Sequence, residues 1–488
     1  MSTFAEVMEE RRKKRDALLA FGMNPYTAVT NTTHTNAEVL AQFLSLQTTN
    51  TSVTITGRIM ALRLHGGMAF ADVFDGTKKL QLFFSKETLG EKLFDLFFNN
   101  IDTGDFIEAT GVPFVTKRET KAVGVTNWRI LTKSLQPIPT EHFGLKDEDL
   151  RFRKRYLDLL QDEEAREIFF KKAKFWDVIR SFMKGHGFLE VETPTLEVTT
   201  GGAEARPFKT HHNDFDMPVY LRISIGELWQ KRLMAAGYPK TFEIGRAYRN
   251  EGSSPEHLQE FTNLEFYWAY ADYEQGMELV EELYKYIAQE TFGTMKFKIK
   301  DFDIDLGQKW ARYDYVDTVK KYTGIDVLNT NEKEIIAKLN ELGVKYDEKG
   351  FNITRAIDNL WKYCRRQIAG PGFLVNTPVA ISPLAKRDDK NPQITQRFQP
   401  IIAGSELGNG YSELNDPLDQ ESRFQEQQKL REAGDDEAQM HDHDFVEALE
   451  YGMPPTCGFG FSERLFSFLM NKSARECQIF PLMKPKND

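Results

Sequence analysis

Apolar and polar residues alternate with two different periods along this chain, and the change of period divides it. Residues 5–22 repeat at helical spacing and stop at Gly22 and Pro25, which predicts an amphipathic helix within an N-terminal helical segment, 1–50. From 51 to 137 the period becomes two. SVTITGRIMALRL, MAFADVFDG, KKLQLFFSK, DFIEATGVPFV and VTNWRILTKSL alternate apolar with polar residues, with Gly and Asp turns between them. Five such strands, with a helix over 87–100 between the third and fourth, predict a small β-barrel. PIPTEHFGLKDED follows, so a linker is expected at 138–149, ahead of a larger domain over 150–488. Within it, 320–372 is rich in helix-formers and predicts a helical insertion, and 417–438 predicts a solvated helix.

The chemistry concentrates in three stretches of the larger domain. In YRNEGSSPEHLQEFTNLEFY (248–267), Arg249 and Glu251 are two apart, and Phe261, Asn263, Glu265 and Tyr267 share one phase. Residues two apart on a strand share a face, so a hairpin presenting an arginine, two carboxylates, a phenol and a ring is expected. A fork-shaped cation on such a face suits a bound anion, although a solvated hairpin laced with ion pairs shows the same pattern. In SELGNGYSELND (405–416), Asn409, Tyr411 and Glu413 alternate behind Glu406. In GFGFSERL (458–465), Gly458, Gly460 and Ser462 form a face without bulk that ends at Arg464, leaving room for a flat ligand beneath a guanidinium.

Composition adds limits. The 488 residues carry a formal net charge of −10, which confines contact with nucleic acid to local basic surfaces. Basic clusters occur at Arg11–Arg15, Lys117–Lys121 and Arg151–Arg155, and such clusters are more often a solvated helix or loop face. No apolar run is long enough for a membrane helix, and the charged N-terminus is no secretory signal. Cys364, Cys457 and Cys477 are widely spaced, form no metal pattern and fit reduced thiols in the cytoplasm. No P-loop signature and no HIGH-type signature occurs.

The arginine hairpin and the terminal GFGFSERL stretch resemble motifs 2 and 3 of class II aminoacyl-tRNA synthetases. FKKAKFWDVIRSFMKGHGFLEVETPTL (170–196) resembles motif 1, a long helix and a strand carrying Pro194. Among these enzymes the chain is most similar to bacterial lysyl-tRNA synthetases, through LRFRKRYLDLL, GGAEARPFKTHHN, SPLAKRDDKNP, SELGNGYSELND and GDDEAQ. The resemblance covers nearly the whole chain. It implies an α+β protein, with a five-stranded OB-fold anticodon-binding barrel at 51–137 and a class II catalytic domain built on an antiparallel sheet flanked by helices. It also implies a homodimer through motif 1, ATP as substrate, Mg2+, and tRNA(Lys) as partner.

The implied reaction joins L-lysine to ATP as lysyl-adenylate, then passes the lysyl group to the 3′ end of the tRNA. Neither step needs a protein nucleophile, since positioning and charge stabilisation suffice. By resemblance, Arg249 would bridge the lysine carboxylate and the α-phosphate, with Arg464 as the second catalytic arginine. Glu251 would accept from the adenine amino group, Phe261 and Arg464 would sandwich the purine, and His257 would approach the terminal phosphates. Glu227 would take the α-ammonium, while Glu265, Tyr267 and Glu413 would surround the ε-ammonium. Asn409 would hold the carboxylate and Tyr411 the aliphatic stem. Phe70 would stack on an anticodon base and Gln81 hydrogen-bond one.

The chain departs from the family pattern in places. One of two magnesium acids is replaced by Gln399 while Glu406 is kept, and the glycine run of motif 3 is one residue short. Glu256 occupies a position where a basic residue is common, and a barrel glutamate is replaced by Thr120, with Glu119 beside it. Two alternatives follow: a catalytically weak RNA-binding paralogue, or a sister aspartyl or asparaginyl enzyme. The latter would need additional Lys or Arg in the amino-acid pocket, and the sequence shows none at the matched positions.

Overall fold

The computed structural model describes residues 4–139, 147–252, 254–346, 351–435 and 437–486. The chain forms two compact units, Met1–Gln161 and Asp162–Asp488. Most of the linker expected at 138–149, and Asp436 of GDDEAQ, lie outside the described residues.

In the first unit a helix, Phe4–Ala20, precedes a closed five-stranded barrel. Its strands are β1 (Val53–His65), β2 (Met68–Phe74), β3 (Lys79–Ser85), β4 (Phe106–Val115) and β5 (Lys121–Thr132), in the order β1-β2-β3-β5-β4. The period of two in the sequence is the period of burial: Val53, Ile55, Ile59, Ala69, Ala71, Val73, Leu82 and Phe84 point inward. Glu91–Asn100 is the expected helix, and its Phe97 stacks on Phe84 with ring centroids 3.9 Å apart. β5 begins four residues before the expected VTNWRILTKSL run, because Lys121–Gly124 continue the ladder with Val112–Val115.

Two basic clusters are spent inside this unit. The buried Arg11 donates to the carbonyls of Thr103, Ser134 and Gln136. Arg151 and Arg155 both pair with Asp158, and Arg153 pairs with Asp149. They serve as internal struts.

The second unit is built on a nine-stranded sheet. Its order is Ala311–Asp314, Gly372–Val375, Arg397–Ile402, Asn409–Ser412, Thr456–Ser462, Glu260–Ala269, Lys240–Tyr248 and Leu189–Glu190, with Ser405–Glu406 pairing the third of these. Neighbours are antiparallel except for a parallel pair at each edge. The long helix Glu163–Gly185, capped by Asp162, buries Ile168, Phe175, Ile179, Phe182 and Met183 on one face of the sheet's core. Pro194 is not on a strand: pairing ends at Glu190, and proline has no N–H to extend a ladder. Helices Tyr315–Thr323, Glu332–Glu341 and Ile353–Arg365 share a separate core around Leu360 and Trp361.

Candidate active site

Strand register creates the site. Gly460 faces Glu265 on one neighbour and Asn409 on the other, and Gly458 faces Tyr267 and Tyr411 in the same way. The central strand therefore contributes a floor without side chains, and its neighbours supply walls. A Cβ at Gly458 would lie 2.1 Å from Glu413 Oε1 and 2.6 Å from a Tyr267 ring carbon, so only glycine leaves this trough open.

The trough is a cavity of about 360 Å3 that gathers Glu227, Arg249, Glu251, Glu256, His257, Phe261, Glu265, Tyr267, Gln399, Glu406, Asn409, Tyr411, Glu413 and Arg464. Every residue expected around ATP, lysine or the metal lines it. The expected strand position of Arg249 and Glu251 is not observed. The strand ends at Tyr248, and although the Arg249 N–H still donates to the Gln259 carbonyl at 2.8 Å, Glu251 lies in the loop beyond.

One end of the cavity is acidic and fully internal. Glu265 accepts from the Ile225 N–H at 2.7 Å, from Asn263 at 3.1 Å and from the Tyr267 hydroxyl at 3.2 Å. Glu227 opens the helix Glu227–Ala235 and accepts from Tyr411. Burial, and then the charge of Glu227, push the Glu265 carboxyl up. Burial also pushes Glu413 up, against the pull of Lys231.

That lysine lies outside the matched positions and was not singled out in the sequence. Lys231 is buried with its ammonium 2.9 Å from Glu227 and 2.5 Å from Glu413. A basic residue is thus present in the acid pocket, one helical turn after Glu227, and the i,i+4 spacing on a helix was the signal for it. Burial works against its charge, but the two carboxylates outweigh it and raise its pKa. Three carboxyl groups against one ammonium leave two acid positions without a cation.

The other end is cationic and built on loops. Arg249 is buried, donates from Nε to the Ile223 carbonyl at 3.2 Å and lies over the Phe261 ring at 5.3 Å. Among the described residues no carboxylate lies within ion-pair distance of it. Burial lowers its pKa without removing its charge. Arg464 pairs with Glu256, donates to the Glu406 carbonyl at 3.1 Å and lies over Phe468 rather than Phe261. Glu256 also meets Lys300 at 2.5 Å; burial opposes ionisation there, but the two cations hold its carboxyl down at about 2. His257 is paired with Ser254 at 2.8 Å, and burial together with Arg464 lowers its pKa.

Glu406 accepts from the Trp361 indole and lies 3.8 Å from Arg365, with Gln399 on the adjoining strand. A single carboxylate beside an amide oxygen fits a magnesium ion that takes its remaining ligands from phosphates and water. Arg397, not singled out in the sequence, fixes Asn409 by donating to its side-chain oxygen at 2.8 Å, so the Asn409 amide N–H2 is left to face the cavity.

Phe70 and Gln81 are elsewhere, together on the outer face of the barrel. Phe70 is half-buried outside the barrel core and packs on Phe83 at 5.0 Å, which in turn meets Phe114 at 5.7 Å. Gln81 donates to Asp72 at 3.3 Å, and Arg63 grips Asp72 with two bonds at 2.9 and 3.0 Å. Thr120 and Glu119 sit in the exposed turn before β5, so neither stands where a strand glutamate would. All three cysteines are buried and unpaired. Among the described residues no helix is long and apolar enough to cross a membrane.

Known proteins match both units. Residues 147–484 fit the family of tRNA synthetases class II (D, K and N), and residues 53–131 fit the OB-fold nucleic acid binding domain. The chain is 44% identical over 490 residues to the lysine–tRNA ligase of Thermoanaerobacter pseudethanolicus, covering 99% of this chain and 97% of that one. It is 42% identical over 487 residues to that of Thermotoga maritima, with 99% and 96% covered. Against that of Roseiflexus castenholzii it is 43% identical over 487 residues, with 99% of both covered. With motif arginines, glycine floor and acid pocket assembled in one cavity, this chain belongs to the class II tRNA synthetases of the D, K and N group.

Proposed function

We propose that this protein activates L-lysine with ATP and transfers the lysyl group to the 3′ end of tRNA(Lys), in the cytoplasm and as a homodimer. The carrying observation is charge balance at the two ends of one cavity. Two acid positions without a cation face a substrate with two ammonium groups, and the buried Arg249, with no ion pair among the described residues, faces its carboxylate. Aspartate would bring its side-chain carboxylate into the acid end, where Lys231 is already matched, so the sister reading is disfavoured.

A carboxylate oxygen of lysine attacks the α-phosphorus, forming an O–P bond as the bond to the pyrophosphate oxygen breaks. A ribose hydroxyl of the tRNA then attacks the lysyl carbonyl carbon and AMP leaves. Arg249 spans the two reacting anions in the first step, and His257 donates to outer phosphate oxygens. Phe261 and Arg464 hold the purine once Arg464 exchanges Glu256 for the nucleotide, with Glu251 toward the amino group. Glu227 takes the α-ammonium; Glu265, Tyr267 and Glu413 take the ε-ammonium; Asn409 donates to the carboxylate and Tyr411 walls the stem. Glu406 with Gln399 would hold Mg2+, which when bound offsets phosphate charge.

The barrel over 51–137 would be the anticodon-binding domain, with Phe70 stacking on a base and Gln81 reading one, flanked by Phe83, Phe114 and Lys117–Lys121. Residues 1–50 would be its helical lead, 138–149 the linker and 150–488 the catalytic domain with the insertion near 320–372. The dimer is supported by Phe170, Leu189 and Leu196 in motif 1 and Val198 just after it, which are 50–63% exposed in the isolated chain. Sedimentation as a monomer at micromolar concentration would refute it.

The test of function is ATP–pyrophosphate exchange with lysine, aspartate and asparagine in turn. Exchange with lysine alone, lost in Arg249→Ala, is expected. Exchange with aspartate or asparagine would support a sister enzyme, and none with any amino acid would support the RNA-binding paralogue.

A further inference from the structure

We propose that Glu421, His441 and His443 form a binding site for one divalent transition-metal ion, zinc by preference, outside the catalytic cavity. Glu421 lies on the helix Pro417–Glu432, and the two histidines flank Asp442, the N-cap of the helix His443–Glu450. One ligand atom from each residue lies within 4.8 Å of the other two. His441 Nε2 is 2.9 Å from Glu421 Oε2, and the two imidazole rings are side by side with centroids 3.8 Å apart.

Three features favour a metal over a plain ion pair. Both ring nitrogens of His441 are shielded from water, and neither is in a well-directed hydrogen bond among the described residues. Gln425 donates to Glu421 Oε1 at 2.8 Å, which fixes the carboxylate with Oε2 turned toward the histidines. Asp442, between the two imidazoles, is tied by the Phe445 N–H at 2.9 Å and by Arg232 at 3.0 and 3.1 Å, so the backbone carrying both rings is held. Zinc bound at about 2.0–2.2 Å needs ligand atoms roughly 3.3 Å apart, which modest side-chain rotations supply. Two imidazoles and one carboxylate suit zinc, nickel or copper and leave a fourth position for water. Magnesium, which prefers an all-oxygen octahedron, is a poor competitor.

The site is connected to the amino-acid pocket. Arg232 belongs to the helix Glu227–Ala235, which carries Glu227 and Lys231. A metal clamping the residues on either side of Asp442 would fix the anchor of that helix, so metal loading raises the melting temperature by mass action.

The test is calorimetric titration of zinc chloride into the chelator-treated full-length protein in excess magnesium, paired with thermal unfolding. One zinc per chain is expected, with a higher melting temperature on loading. The exposed position of His443 makes His443→Ala a safe variant. It should bind at least about tenfold more weakly and lose the thermal shift, keeping the metal-free melting temperature. Glu421→Gln should weaken binding similarly, and His211→Ala, at a separate surface His–Asp pair, should bind as wild type. No zinc uptake by the wild type, or undiminished uptake by His443→Ala and Glu421→Gln, would overturn the proposal.

Discussion

The two ends of the catalytic cavity are built on opposite principles. At the amino-acid end, Glu265, Tyr267, Tyr411 and Glu413 stand on or directly after paired strands, and Glu227 stands at a helix start; all are buried. Glu265 and Glu227 are already held by directed bonds and Glu413 by its ion pair with Lys231, so little has to move when a ligand arrives. At the nucleotide end, Glu256 and His257 lie on a loop between strands, and the pairing of Glu256 with Arg464 and Lys300 uses the very guanidinium a purine would need. One end is set before binding. Under the proposed function the other would exchange an internal partner for an external one, separating selection of the amino acid from capture of the nucleotide.

The comparison breaks most severely at Lys231. Lys231→Met strands Glu227 and Glu413 without their buried cation, and should lower unfolding free energy by about 3–5 kcal/mol in urea denaturation. Arg249→Ala, which touches both ends, should lower lysine-dependent exchange by about 10²–10³-fold in kcat with a folded enzyme by circular dichroism. Gly458→Ala isolates the amino-acid end. Its Cβ meets Glu413 and Tyr267, and an overpacking cost of about 1–3 kcal/mol should raise the lysine KM roughly ten- to hundredfold and leave the ATP KM unmoved. Glu256→Gln isolates the nucleotide end in the other direction. Releasing a partly exposed ion pair worth about 0–1 kcal/mol should lower the ATP KM by up to about fivefold, read from initial rates.

How far the sequence disclosed this site depended on whether the signal was local. Strand alternation has a period of two, so Glu265 with Tyr267 and Asn409 with Tyr411 were legible as pairs sharing a face, and so was the bare face of Gly458 and Gly460. The five barrel strands were legible for the same reason. Arg249 and Glu251 followed the same spacing, yet the strand stops at Tyr248, and spacing does not mark where pairing stops. Lys231 was overlooked because its partner Glu413 lies 182 residues away, although Glu227 is one turn before it. The bond from Trp361 to Glu406 and the latch of Glu256 on Arg464 likewise join distant segments, and only the fold brings them together.

The most direct test of a prebuilt acidic end is lysine binding by calorimetry, without ATP, from pH 6 to pH 9. Glu265 and Glu413 sit above the usual carboxylate range in the empty pocket, so they retain a proton there that an incoming ammonium displaces. Because binding releases protons, it should tighten as pH rises from 6, until lysine's more acidic α-ammonium begins to discharge toward the upper end of the range. Glu265→Gln should bind more weakly and flatten that dependence. The expected result is measurable binding without nucleotide and affinity that grows with pH. Binding that requires ATP, or that weakens as pH rises from 6 to 9, would contradict a pocket whose carboxylates are in place and waiting for a second ammonium.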